Sequence, residues 1–248
     1  MRTQVFFTTY LENVKNSAEW QSMVDTVENT GWHREANVAV HTEMTIDHYL
    51  KTFAPHRTER QQMLALMALL FHDFGKPASE STNAEGRHQY LGHEEVSATN
   101  FWNFMRSEIA LTDFFFDQGY HWGDVNAIKF VIERHLPYGM KQPKKVQALK
   151  DQIKNFLGDD EEVFFDVLRS DSAGRIQDNR EQRLQEVEDW INGFRAAPKW
   201  VDKDSPEERA RRKAEWQARQ AEKLAGIQAE PGLEAFRKLA NENLDNRT

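Results

Sequence analysis

The stretch that most restricts the fold is 66–76, LMALLFHDFGK, which closes a run from Met63 to Phe71 in which nearly every residue is apolar. A helix of that composition has no face for solvent, so it must lie at the centre of whatever surrounds it. His72 and Asp73 stand at its C-terminal end, with Gly75 where helices commonly stop and Pro77 just beyond. A carboxylate at the edge of a core is costly to desolvate, and a metal ion is one of the few partners that offsets the cost. If a metal is the partner, its other ligands must come from elsewhere in the chain.

Around this run the pattern is helical. Strand signals are sparse, with no alternating β-branched run bounded by turn dipeptides, so the expected fold is all-α. Residues 1–30 carry Phe6, Phe7, Tyr10, Leu11 and Val14 at helical spacing and predict one or two short helices. A helix over 36–53 has two stripes: Ile46, Tyr49, Leu50 and Phe53 on one, and Val38, His41, Met44, Thr45 and His48 on the other. The second stripe places histidines where a core would take methyl groups. A polar loop is expected over 77–92, then a helix opened by His93 with Val96, Phe101, Trp102 and Met105 inward.

Residues 112–123 read as a loop. Val125, Ile128, Ile132 and His135 then recur at i, i+3, i+7 and i+10, which puts His135 on a buried stripe. Phe164, Val167, Leu168 and Asp171 share another. Between them lies a basic run, Lys141, Lys144, Lys145, Lys150 and Lys154, which reads equally as a solvated helix face or as a phosphate-binding edge. Beyond Pro198 the composition changes. Ser205-Pro206-Glu207-Glu208 has the form of a capping box with Pro at the first helical position, opening a charged helix through Ala225 that Gly226, Pro231 and Gly232 are expected to break before a last segment at 233–244.

Composition limits the chemistry. The chain has 248 residues, no cysteine and a formal net charge of −8. Disulfides, a thiolate nucleophile and Cys-ligated zinc are excluded, so any metal must be held by His, Asp and Glu. The negative balance argues against broad sequence-independent binding to nucleic acid, while a local basic site remains open. The first 20 residues hold no signal-peptide apolar stretch and no run of about 18 apolar residues occurs, so a cytoplasmic protein without membrane contact is expected. There is no GxxxxGK[ST], GxGxxG, HExxH or GxSxG pattern.

The polar residues on or beside apolar faces are His41, His72, Asp73, His93, His135 and Asp171. Any one buried histidine is ordinarily a hydrogen-bonded core residue, and His48 is weighed that way. His33, His56, His88 and His121 read as loop or surface residues, with His88 and Arg87 the exceptions worth following because they lead into His93. Six such positions together favour a metal instead, since neutral imidazoles with carboxylates suit first-row transition metals, magnesium or manganese.

The order His41, His72-Asp73, Asp171 resembles the H…HD…D signature of the HD superfamily of metal-dependent phosphohydrolases. More narrowly, the segments WHREANVAVHTEMTI, HDFGKP, GHEE, ERHLPYG and SDSAGR are similar, in order, to the C-terminal HD domain of bacterial CCA-adding tRNA nucleotidyltransferases, over about residues 20–195. This sequence does not carry the nucleotidyltransferase domain that precedes the HD domain in that family, so CCA synthesis is not implied.

The resemblance implies an HD-domain helical bundle over 1–198, with residues 1–30 as its N-terminal helical segment, and the change of composition beyond Pro198 adds a charged C-terminal helical extension over 199–248. It implies a first divalent metal on His41, His72, Asp73 and Asp171, and a second on His93 and His135 with Asp73 as the bridge. Manganese, nickel, cobalt, iron, magnesium and zinc are all compatible. Asp73 and Lys76 are the expected catalytic residues, with Lys76, Arg87, Arg134 and Arg175 near the substrate phosphate. Expected substrates are nucleotides or phosphorylated RNA ends, attacked by metal-activated water in a 2',3'-cyclic phosphodiesterase, nucleotidase or phosphatase reaction. A deoxynucleotide triphosphohydrolase and a non-catalytic module binding nucleic acid or protein are the alternatives, and the charged extension leaves a homo-oligomer open.

Overall fold

Met63 through Phe71 are all buried, as a helix without a polar face requires. They belong to α4 (Glu59–Phe71), which starts at a capping box: Thr58 accepts the Gln61 backbone N–H, and the Gln61 side chain accepts the Thr58 N–H. In the computed structural model of this chain, residues 2–28, 35–202 and 205–228 are described. They form an all-α bundle with one small hairpin.

The helices are α1 (Arg2–Val14), α2 (Ala18–Asp25), α3 (Val38–Thr52), α4, α5 (Lys76–Ser79), α6 (His93–Ser107), α7 (Ile109–Phe116), α8 (Trp122–Arg134), α9 (Pro143–Leu157), α10 (Glu162–Ala173), α11 (Arg180–Ala196) and α12 (Pro206–Gln228). Between α5 and α6, β1 (Ser81–Thr82) pairs antiparallel with β2 (His88–Gln89). By internal contacts the chain divides into two units, 1–198 and 199–248.

In the first unit α4 is ringed by α1, α3, α8 and α10, and α6 lies along α8. Phe71 shows why the end of α4 is rigid: its ring stands 4.5 Å from Phe74, 5.0 Å from Phe101 and 5.2 Å from Phe104, centroid to centroid. Aromatic clusters of this kind add to the area term of burial. The helices that carry the polar candidates are capped locally. Asn37 accepts the Val40 N–H at 2.9 Å to start α3, and His121 forms a capping box with Asp124 to start α8.

Several sequence expectations change here. Residues 109–116 form α7, so the 112–123 segment read as a loop is helical in its first part; Thr112 and Phe115 are buried, and this short apolar helix starts at Glu108 without a side-chain cap to announce it. The 77–92 segment contains the β1–β2 hairpin, whose two-residue strands are too short to show alternation. Gly75 has φ −87° and is not a left-handed helix stop. It is needed for closeness: a Cβ there would lie 2.4 Å from the His93 carbonyl oxygen and 2.5 Å from the Ser97 nitrogen. Its own N–H donates to Ser97 Oγ at 2.7 Å, so the turn after α4 is pressed onto the start of α6.

In the second unit α12 continues through Gly226 to Gln228, beyond the expected break. Ser205 Oγ accepts the Glu208 N–H at 3.1 Å, and Arg211 bonds both Glu208 and Glu215 along the helix surface. The 233–244 segment and His33 lie outside the described residues. Among the described residues no helix is long and apolar enough to cross a membrane.

Candidate metal centre

His72 caps the C-terminus of α4 and His135 that of α8, where the last carbonyls of a helix lack their usual partners. Each imidazole supplies one. Nδ1 of His72 lies 2.7 Å from the Leu69 oxygen, and Nδ1 of His135 lies 2.6 Å from the Ile132 oxygen. His93, at the start of α6, makes the same contact to the Tyr90 oxygen at 2.7 Å. A carbonyl can only accept, so in all three rings Nδ1 carries a proton, and the neutral imidazole presents its lone pair at Nε2, the arrangement that orients a histidine toward a metal.

Those Nε2 atoms converge on Asp73. Its Oδ2 lies 3.1 Å from His72 Nε2 and 3.6 Å from His41 Nε2, while its Oδ1 lies 3.2 Å from His93 Nε2 and 4.0 Å from His135 Nε2. Asp171, from α10, places Oδ1 3.0 Å from His41 Nε2 and 3.7 Å from His72 Nε2. Two groups that could hold a metal ion share the one carboxylate: His41, His72 and Asp73, and Asp73, His93 and His135. Within each group the ligand atoms all lie within 4.8 Å of one another. All six expected ligands are buried.

Two buried carboxylates, Asp73 and Asp171, stand beside the buried Lys76 and the partly buried Arg175. Arg175 Nη2 donates to Asp171 Oδ2 at 2.6 Å. Lys76 Nζ lies 2.8 Å from Asp73 Oδ2 and also binds Glu28. Burial alone would push His72 down, but Asp73 and Asp171 overcome it and push it up to about 10. Burial together with His72 and His93 pushes His135 down to about 3. Burial opposes ionisation of Asp73 and Asp171 as well, yet the cationic neighbours, His72 and Lys76 for one and Arg175 and His41 for the other, hold both carboxyls well below the usual range. A divalent cation can supply the same compensation and leave the imidazoles neutral, so the donor set fits one or two metal ions.

Three of the six candidate ligands, Asp73, His93 and His135, line a cavity of about 570 Å³, within the range of small-molecule sites, while His41, His72 and Asp171 are not among its lining residues. Asp73, Lys76, His93, His135 and Arg175 line it from below, and Arg87, His88, Tyr90 and Leu91 of the hairpin segment form one wall. Leu136, Tyr138 and Arg183 also line it.

The expected substrate residues fare differently. Arg87 and Arg175 line the cavity, Arg175 with one nitrogen committed to Asp171. Lys76 reaches the cavity, but its ammonium is already engaged by Asp73 and Glu28. Arg134 is not a lining residue and pairs with Glu133 at 3.1 Å. His48 stays apart from the centre, with Nδ1 3.4 Å from Ser170 Oγ.

Three residues escape sequence reading: Glu28, Glu35 and Arg183. Glu35 Oε1 accepts the Ile176 N–H at 2.6 Å and lies 3.7 Å from His41 Nδ1, a contact across the chain that leaves no local periodic trace. Comparison of the chain with family models, with curated proteins and with solved structures finds no match. What the fold and the site define is thus a helical protein with a buried His/Asp cluster compatible with an HD-type metal site.

Proposed function

We propose that this chain is an HD-type metal-dependent phosphohydrolase that cleaves phosphoester bonds of nucleotides or RNA ends. The observation that carries the reading is Asp73: one buried carboxylate whose two oxygens face two separate histidine pairs, at the bottom of a cavity with arginines in its walls. A phosphoester is an anion and repels nucleophiles. Divalent metal, when bound, acidifies water and offsets charge on phosphoryl oxygens.

The chain's own residues do the positioning. Backbone carbonyls hold His72, His93 and His135 in the tautomer that presents Nε2. Lys76 holds Asp73, and Arg175 holds Asp171, so neither carboxylate is free to swing toward an anionic substrate. Lys76 therefore acts through Asp73 more than by meeting a phosphate directly. Arg87, exposed on the hairpin, is free to meet substrate charge, its nearest partner being Glu85 at 3.7 Å. No covalent intermediate is needed.

The test is phosphate-ester turnover by purified protein with Mn²⁺, Ni²⁺, Co²⁺ or Mg²⁺, on 2',3'-cyclic nucleotides, nucleoside monophosphates and dNTPs. Wild type is expected to release orthophosphate or open the cyclic ring, and Asp73→Ala to be inactive and metal-poor. Equal rates for the two proteins across all substrates overturn the proposal. Intact triphosphate from a dNTP moves the reading to a triphosphohydrolase, and tight RNA or protein binding without turnover moves it to a binding module.

A further inference from the structure

The cations lining the cavity are not equivalent. Lys76 is saturated by two carboxylates, and Arg175 spends one terminal nitrogen on Asp171. Arg183, from the first turns of α11, stands differently. Its Nη1 bonds the half-exposed Glu186 at 2.9 Å, and its guanidinium lies over the Tyr138 ring at 5.2 Å. Its Nε is buried and meets no protein acceptor, and the same is true of Arg175 Nε.

A buried donor on a charged group without an acceptor is unfavourable, and here two such donors belong to side chains that line one cavity. The position of Arg183 is built. Arg180, one turn earlier, donates to the Ala173 oxygen at 2.9 and 3.2 Å and fastens the start of α11 to the end of α10. Tyr138 is itself held edge-on by Trp190 of α11, with centroids 5.7 Å apart. A guanidinium fixed by an aromatic face on one side and a carboxylate at one end keeps its remaining N–H groups for a planar or tetrahedral oxyanion.

We infer that Arg183, with Arg175 beside the metal centre, forms an anion subsite that takes a second phosphate of the substrate, distinct from the phosphoester presented to the His/Asp cluster. The inference rests on the cavity being a phosphoester site, and it sharpens the substrate class. Compounds carrying two separated phosphates, such as a nucleoside bisphosphate or an RNA end with its neighbouring phosphodiester, are preferred over nucleotides with one. Arg175 is a poor place to test this, because changing it also releases Asp171.

The experiment uses the full chain loaded with Mn²⁺. It compares adenosine 3',5'-bisphosphate with adenosine 5'-monophosphate, reading Kd where a ligand is not turned over and KM where it is. Wild type is expected to prefer the bisphosphate by about tenfold or more, the scale of a hydrogen bond to a charged group. Arg183→Gln is expected to bring the ratio close to one with metal content unchanged, and Arg183→Lys, which keeps the charge but has no Nε, to lose about threefold of it. If Arg183→Gln does not keep wild-type helix content, Arg183→Lys decides. Equal binding of the two ligands by wild type, or a ratio unchanged in a folded variant, overturns the subsite. An Arg183-dependent preference without turnover leaves the subsite standing and removes the hydrolase reading; turnover without preference does the reverse.

Discussion

Asp166 and Asp171 are both on α10, both buried, and separated by little more than one turn, yet they sit in opposite kinds of surroundings. Asp166 is closed by a guanidinium fork: Arg57 Nε and Nη2 donate to its two oxygens at 2.6 and 3.0 Å, and Arg169, itself paired with Glu188, stands at 3.5 Å. Asp171 has one arginine on one oxygen, and its other oxygen faces the imidazoles of His41 and His72. Arginine keeps its proton, so the Asp166 cluster is complete as a protein-only ion pair. Imidazoles can be neutral lone-pair donors, and beside Asp171 the residues His41, His72 and Asp73 could hold a metal ion, though Asp171 itself falls in neither of the two ligand groups. What distinguishes a buried charge closed within the protein from one open to a further partner is the chemistry of its neighbours, and burial alone does not show it.

The sharpest way to break that comparison is to remove each carboxylate's role in turn. Asp171→Asn is expected to lower metal content and to reduce phosphoester turnover by about 10²–10³-fold, the scale of losing one charge-stabilising group in an active site. Metal analysis beside a rate assay reads it, and full metal occupancy in the variant would count against the assignment.

At the other cluster, Arg57→Ala leaves Asp166 buried and short of its main partner. A loss of about 3–5 kcal/mol in urea unfolding is expected, with metal content per folded molecule unchanged. Replacing both partners, Arg57→Met with Asp166→Leu, is expected to restore most of that stability. No comparable apolar swap at Asp171 should preserve metal binding.

A third prediction concerns pH. In chelator-treated protein, Asp73 and Asp171 outweigh burial and raise His72 from its ordinary value to about 10. A raised folded pKa means the stabilisation is complete below about pH 6.5 and is lost as pH climbs through about 10. The melting temperature of the metal-free protein should therefore fall over that window, while metal-loaded protein, with His72 held neutral, should not show this loss. Coincident curves for the two forms would separate the centre from the metal.

The smallest expected effect is Gly75→Ala. The added Cβ must displace the His93 carbonyl or the Ser97 backbone, at a cost of about 1–3 kcal/mol. Because His93 lies in only one of the two ligand groups, metal stoichiometry should fall toward one ion before activity is abolished. Loss of both ions together would show that the two groups do not act separately.

Much of this was legible along the chain. The apolar run of α4 has no face for water, so its burial followed from composition. Three-and-four spacing placed His135 and Asp171 on apolar faces because helical geometry is the same in every protein. The hairpin and α7 were not legible: two-residue strands show no alternation, and a short apolar helix without a side-chain cap carries no start signal. Asp166 left no sign that set it apart from Asp171, since its meaning comes from Arg57, 109 residues away.

By itself, the sequence determined that the chain is mainly helical, that α4 has no face for solvent, and that polar groups able to bind metal interrupt apolar faces, because these follow from local geometry and the cost of desolvation. Only the tertiary structure decided that Asp73 divides its two oxygens between two histidine pairs, that Lys76 is held by Glu28, and that Arg183 reaches the cavity while Arg134 does not. Those are distances between residues remote in the chain, and they are set by how whole helices pack rather than by any local pattern.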